Sequence, residues 1–209
     1  MKVSSDFARN VFINCPIDPQ YDPLFHAMVF TVYLLGFRPR CSREENDSGD
    51  TRIGKIVKLI RKSRFGIHDL SRTELDSHKL PRFNMPFELG VDAGLRHSGN
   101  PKFKKKVHLV LDKAPYRYQK YISDIGGQDI SAHHGRASRI ISAVRDWLRT
   151  ATNATDMPSG TIIGKEYRRF QRDLPKICER SHLDIHEVTY RDYSHIVVKW
   201  LKTEYKKGA

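Results

Sequence analysis

Two carboxylates at the ends of predicted elements are the groups in this sequence best suited to chemistry. Asp69 closes the apolar segment at residues 65–70, and Glu88 lies among apolar neighbours. A carboxylate in a crevice can attack a sugar carbon or stabilise an oxocarbenium-like centre, while a second carboxyl manages a proton. Each also has a structural interpretation: Glu88 can complement a helix dipole, and Asp69 can cap a helix or pair with Arg72.

The first 112 residues alternate apolar runs with amphipathic segments, which predicts alternating strands and helices. Strands are expected at residues 11–15, 37–41, 65–70 and 106–111, and helices at 22–35, after Thr51 or Asp50, and at 85–95. Polar loops are expected at 42–50 and 71–82, a helix at 139–148, and two more helices near 165–177 and 192–206. Strands separated by helices imply right-handed crossovers and a parallel sheet.

The predicted fold class is therefore α/β, a flavodoxin-like three-layer sandwich with a parallel sheet of four to five strands. Residues 1–150 would form this domain, and residues 151–209 a basic helical C-terminal extension.

Ligands of open parallel sheets bind beyond the carboxyl ends of the strands, so the residues that follow each strand are candidate ligand contacts. The candidates for substrate binding are Asn14, Cys15, Pro16, Asp18, Ser71, Arg72 and Phe87. We expect them to converge on one edge of the sheet with Asp69 and Glu88. Neither a glycine-rich dinucleotide fingerprint nor a Walker A sequence occurs.

Two other features allow more than one interpretation. Cys15 lies at the expected crevice and is either a nucleophile or, since no neighbouring motif would activate it, an inert buried thiol. His133 and His134 could act as acid and base, but adjacent side chains point in different directions, which disfavours a shared metal.

Three short segments resemble the nucleoside 2-deoxyribosyltransferase-like family, within a wider group that includes TIR-like NAD-cleaving domains. They are Phe12-Ile13-Asn14-Cys15-Pro16, Ile67-His68-Asp69-Leu70 and Phe87-Glu88-Leu89-Gly90. The resemblance covers about residues 10–112. It implies that Glu88 is the nucleophile at C1′ and that Asp69 contacts the departing base. Asn14 and the backbone around Cys15 and Pro16 would line the sugar or phosphate end.

The sequence also departs from the family pattern. Cys15 stands where the family has a glycine, and Asn84-Met85-Pro86 stands where it has small hydroxyl-bearing residues. Two functions therefore stay open. The first is cleavage or transfer of an N-glycosidic bond in a nucleoside or nucleotide, with NAD among the candidates and no metal or organic cofactor required. The second is a non-catalytic nucleotide-sensing module that signals to a partner or a second subunit.

The charge of the chain is large and unevenly distributed. Residues 1–100 hold 15 basic and 12 acidic side chains, whereas residues 101–209 hold 22 and 12, for a net charge of +13. Such a surface favours an anionic partner or is simply solvated. A nucleic-acid partner is supported by charge alone.

Several observations bear on location and assembly. No apolar run reaches the roughly 18 residues of a membrane span, and the first residues do not show the apolar stretch that a signal peptide would have. The three widely spaced cysteines support neither a disulfide framework nor a zinc site. A cytoplasmic protein without membrane contact is expected. A homo-oligomer is also expected, because members of the resembled family are commonly oligomeric. The aromatic residues near the C-terminus either serve an interface or pack inward: Tyr190, Tyr193, Trp200 and Tyr205.

Overall fold

Five short strands form a parallel sheet within the part of the chain that the structure describes. The structure is a computed structural model that describes residues 6–44, 47–73, 82–125 and 129–205. The strands are β1 Asn10–Asn14, β2 Arg38–Arg40, β3 Phe65–Asp69, β4 Val107–Asp112 and β5 Ile130–Ala132. Their order across the sheet is β2-β1-β3-β4-β5. The order reverses next to β1, where ligands of such sheets bind.

Helices cover both faces of the sheet and complete the predicted three-layer α/β sandwich. They are α1 Asp6–Arg9, α2 Asp22–Leu34, α3 Arg52–Arg61, α4 Asn84–His97, α5 Ala137–Thr152, α6 Gly160–Arg180 and α7 Tyr190–Trp200. Helices α2, α5, α6 and α7 bury their apolar sides in one large core. Helices α3 and α4 cover the opposite face. The flavodoxin-like prediction is confirmed.

Local sequence explains where the elements around the site begin and end. The Thr51 side chain accepts a hydrogen bond from the Gly54 N–H at 3.2 Å and caps α3. Helix α2 ends before Gly36, whose φ of +81° suits glycine. Pro86 lies in the first turn of α4, where its missing N–H leaves no bond unmade. These boundaries place the starts of α3 and α4 beside the end of β1.

The C-terminal helices share the core of the sandwich. The Phe30 ring of α2 has its centroid 5.3 Å from that of Tyr167, 5.2 Å from that of Phe170 and 5.9 Å from that of Trp200. Helix α6 is longer than the predicted 165–177 segment. Among the described helices, none combines the length and the apolar character needed to span a membrane.

Strand β5 was not predicted, because its three residues lie in a segment without clear periodicity. Most of the polar loop expected at 71–82, residues 74–81, lies outside the described residues, as do residues 45 and 46 of the loop expected at 42–50.

Candidate active site

Side-chain alternation along β3 divides the predicted site residues between the two faces of the sheet. Asn14 at the end of β1 is in register with His68 of β3, so the two side chains lie on the same face. That face is covered by α4, which carries Glu88 and also Asp92, the partner of His68. Asp69 is the next residue of β3 and therefore points to the opposite face, toward Tyr21 before α2.

A cavity of about 660 Å³ lies at the carboxyl end of β1. We call it the Glu88 cavity. Its walls come from the ends of β1 and β2 and from the starts of α2, α3 and α4. Its described lining residues are Ile13, Asn14, Cys15, Pro16, Ile17, Phe25, Cys41, Ser42, Arg43, Arg52, Arg82, Phe83, Asn84, Met85 and Glu88. The structure therefore brings together four of the predicted site residues: Asn14, Cys15, Pro16 and Glu88.

Glu88 lies in the second turn of α4 and is only 8% exposed. Burial raises the pKa of its carboxyl to about 7, against a smaller opposing effect of the Arg52 guanidinium. The position near a helix N-terminus does not offset the loss of solvation, because the dipole effect is smaller and fades beyond the first turn. At neutral pH the carboxyl therefore exists in both its protonated and its ionised form.

Three arginines line the Glu88 cavity together with this carboxyl. Arg43 is held in place by an ion pair with Asp22 at 2.7 Å and by the face of the Phe25 ring. Arg52 and Arg82 are exposed, and neither has an ion-pair partner within the described residues. Among the described lining residues, Glu88 is the single carboxylic acid. The excess of guanidinium groups favours a ligand that carries phosphate or another anion.

Cys15 is a buried thiol in the wall of the Glu88 cavity. Burial raises its pKa well above the usual value, and the charges of Asp69 and Glu88 raise it further. A thiolate nucleophile is therefore disfavoured at neutral pH, in agreement with the interpretation of Cys15 as an inert thiol.

Asp69 is fully buried and does not line the Glu88 cavity. Its Oδ1 accepts a hydrogen bond from the Ser71 N–H at 2.8 Å, and its Oδ2 accepts one from the Tyr21 hydroxyl. The Nε2 atom of His133 lies 3.2 Å from Oδ2. Burial alone would raise the pKa of Asp69, but the contacts with His133, Ser71 and Tyr21 lower it overall. Asp69 is thus an ionised acceptor.

The remaining predicted residues lie beside Asp69 or on the surface. Ser71 and Arg72 line a separate pocket of about 340 Å³ together with Tyr21 and His133. The guanidinium of Arg72 binds Asp18 at 3.0 Å. Phe87 is 59% exposed and is not among the lining residues of the Glu88 cavity.

A buried polar cluster lies behind Asn14, between the sheet and α4. The Nδ2 atom of Asn14 lies 3.0 Å from His68 Nδ1, and His68 Nε2 lies 3.1 Å from Asp92 Oδ2. The other oxygen of Asp92 lies 3.0 Å from the Lys106 ammonium and 3.1 Å from His108 Nε2. Burial opposes ionisation, but the contacts with His108 and His68 lower the pKa of Asp92. We call these five residues the Asn14–Lys106 network.

Three members of this network have the ligand types of a metal site. The ligand atoms of His68, Asp92 and His108 lie within 4.8 Å of one another. The Lys106 ammonium already neutralises Asp92 and also donates to the Ile60 carbonyl at 2.8 Å. The arrangement is therefore that of a buried ion-pair network with its own resident cation.

No family model matches the chain, and none of the curated proteins matches it significantly. The fold and the site define it as a parallel α/β protein with an arginine-lined cavity around a buried carboxyl group. The resemblance to the nucleoside 2-deoxyribosyltransferase-like family stays a prediction.

Proposed function

We propose that this protein cleaves or transfers the N-glycosidic bond of a nucleotide, with the Glu88 carboxylate acting at C1′. The observation that carries the proposal is the position of Glu88, as the one acid among the described lining residues of a cavity that also holds Arg43, Arg52 and Arg82. The guanidinium groups suit the phosphate of a nucleotide, and the carboxylate suits the positive charge that develops at its C1′.

The proposed reaction begins with breakage of the bond between C1′ and the base nitrogen. Both bonding electrons leave with the base, and the positive charge left on C1′ and the ring oxygen is stabilised by ionised Glu88 or captured as an ester. Water then adds its hydroxyl to C1′ and gives its remaining proton to solvent, and any ester bond to Glu88 breaks so that the carboxylate is released. In a transfer reaction the nitrogen of a second base takes the place of water and gives up its proton in the same way. Glu88 must be ionised for this step, so the rate is expected to rise with pH through about 7.

The position of Asp69 bears on the leaving group. Asp69 lies outside the Glu88 cavity and is engaged by Tyr21, Ser71 and His133, so it is not placed to protonate a base bound there. A pyridinium base needs no proton, because its nitrogen becomes neutral when it takes the bonding electrons. This feature favours a nicotinamide nucleotide among the candidate substrates.

The proposal is tested by chromatography of the purified protein after incubation with NAD, nicotinamide mononucleotide, nucleoside monophosphates and nucleosides. We expect release of free base from at least one phosphate-bearing substrate. Glu88→Gln removes the charge but keeps the shape, and it should reduce release by a factor of about 100 or more.

The matched control is Glu179→Gln, the same chemical change at an exposed position of α6. It should leave base release unchanged, and circular dichroism should show that both variants are folded. Equal release by the wild type and the folded Glu88→Gln protein would remove Glu88 from the reaction.

A second function is favoured by the same position of Asp69. Because the Asp69 carboxylate does not line the Glu88 cavity, the cavity is also suited to bind a nucleotide without cleaving it. A sensor of this kind would show a higher melting temperature with NAD or a nucleoside monophosphate, while chromatography recovers the ligand intact. Consumption of the ligand would exclude it.

A further inference from the structure

We propose that Asn14 presents its side-chain oxygen to the Glu88 cavity as the acceptor for a ribose hydroxyl, and that His68 is the positioning residue that sets this orientation. The inference rests on the proposed function, because it takes the ligand to be a nucleotide whose C1′ faces Glu88.

The backbone of α4 determines which end of the Asn14 amide faces it. The Met85 carbonyl lies 2.9 Å from Asn14 Nδ2, and a carbonyl can only accept a hydrogen bond. Nitrogen must therefore face Met85. The reversed amide would place two oxygen acceptors against each other at a buried position, which is unfavourable.

The same nitrogen also fixes the proton on His68. Its second hydrogen points to His68 Nδ1 at 3.0 Å, so Nδ1 is the unprotonated acceptor and the ring proton is on Nε2. Nε2 then donates to Asp92 Oδ2 at 3.1 Å, and the other oxygen of Asp92 is held by the Lys106 ammonium at 3.0 Å. Burial lowers the pKa of His68, which keeps the ring in this neutral form. The network thus holds the side-chain amide of Asn14 in one orientation.

The side-chain oxygen of Asn14 is left to accept a hydrogen bond from the ligand. Asn14 is 4% exposed and lines the Glu88 cavity, and both of its amide hydrogens are committed. Its Oδ1 atom has no partner within the described residues and is not one of their fully enclosed polar atoms. An acceptor in this position is satisfied by a ligand that donates a hydrogen bond.

The position of Asn14 relative to α4 indicates that the ligand group that donates to its oxygen is a hydroxyl of the sugar. Asn14 donates to the backbone carbonyl of Met85, three residues before Glu88 in α4, and the side chains of Asn14 and Glu88 line the same cavity. If Glu88 faces C1′, Asn14 faces the same sugar. The arginines can only donate, so they match phosphate oxygens, whereas Asn14 matches a hydroxyl.

The test is a binding comparison in a background that does not consume the ligand. In Glu88→Gln protein, dissociation constants are measured for nicotinamide mononucleotide, AMP, GMP, CMP and UMP, and for the 2′-deoxy and 3′-deoxy forms of the tightest binder. We expect the ribonucleotide to bind about tenfold tighter than one of its deoxy forms. With Asn14→Ala added, this ratio should fall to about one, mainly through weaker binding of the ribonucleotide.

Two further variants separate positioning from folding. Asparagine at position 68 can place an acceptor near the former Nδ1, whereas glutamine places its amide near the former Nε2. His68→Asn should therefore keep more of the preference for ribose than His68→Gln. The control is Asn10→Ala on the same strand, since Asn10 binds the Lys62 carbonyl at 2.9 Å and is not a described lining residue of the cavity. It should leave the ratio unchanged.

The outcomes distinguish this inference from the proposed function. The inference is overturned if Asn14→Ala weakens the binding of ribose and deoxy ligands equally, or if Glu88→Gln protein already binds both forms with the same affinity. Base release by the wild type would still support the proposed function in either case. Nitrogen NMR showing a proton on Nδ1 of His68 would overturn the positioning role without any ligand. If no nucleotide binds or is cleaved, the proposed function fails and the inference fails with it.

Discussion

Glu88 shows how one side chain links the stability of the fold to the chemistry of the cavity. Its folded-state pKa of about 7 lies above the ordinary value of 4.5, because burial disfavours the ionised form. The folded protein therefore binds this proton more tightly than the unfolded chain. The contribution of Glu88 to the free energy of unfolding is then lost as the pH rises from about 4.5 to about 7 and stays constant above that range.

We expect Glu88→Gln to stabilise the protein at high pH. Glutamine has no charge to desolvate, so the gain over wild type should be about 2 kcal/mol larger at pH 8 than at pH 5. Denaturant unfolding at the two pH values measures the difference, and comparison with the wild type cancels the titration of other groups. A gain that is equal at both values would show that the carboxyl is not desolvated.

Within β3, a glycine makes room for the Asn14–Lys106 network. A Cβ atom at Gly66 would lie 2.6 Å from Asp92 Oδ2 and 2.8 Å from His68 Nε2, closer than packed atoms approach. Both contacted groups are fully buried, so neither can move aside into solvent. The two residues of β3 that face α4, Gly66 and His68, thus fit together only if the first has no side chain.

We expect Gly66→Ala to destabilise the protein by about 1–3 kcal/mol through overpacking. The matched control is Gly94→Ala on α4, where an added Cβ meets nothing within 4 Å. Because Gly94 lies at an exposed helix position, the same substitution there should raise the free energy of unfolding by about 0.5–1 kcal/mol. Thermal unfolding of the two variants checks the prediction, and a neutral Gly66→Ala would contradict the packing described for the network.

The periodicity of the sequence was sufficient to predict β1, β3 and the helix that carries Glu88, because each buries a continuous or amphipathic apolar face. The edge strand β5 is too short for such a signal. Alternation along β3 could have separated Asp69 from Glu88, since His68 and Asp69 must face opposite sides. The burial of Lys106 had no local signal, because its partner Asp92 comes from another element.

In the whole molecule, the boundary expected near residue 150 falls inside one continuous core. Tyr167 and Phe170 of α6 and Trp200 of α7 pack with Phe30 of α2, which is itself fully buried. The Tyr193 hydroxyl also donates to the His26 carbonyl of α2 at 3.2 Å. Helices α6 and α7 therefore stabilise the same helix whose start forms part of the Glu88 cavity wall.

Because α6 and α7 share one core with α2, we expect the C-terminal helices and the rest of the protein to unfold cooperatively. Phe170→Ala removes a fully buried ring and should cost about 3–5 kcal/mol, whereas Ile185→Ala at a partly exposed position should change stability by less than about 1 kcal/mol. Because Phe170 contacts α2, the loss should appear in one unfolding transition followed both by far-ultraviolet circular dichroism and by binding of a nucleotide. Two separate transitions, with binding retained after the first, would mean that the C-terminal helices unfold independently. In that case the Glu88 cavity would not depend on them.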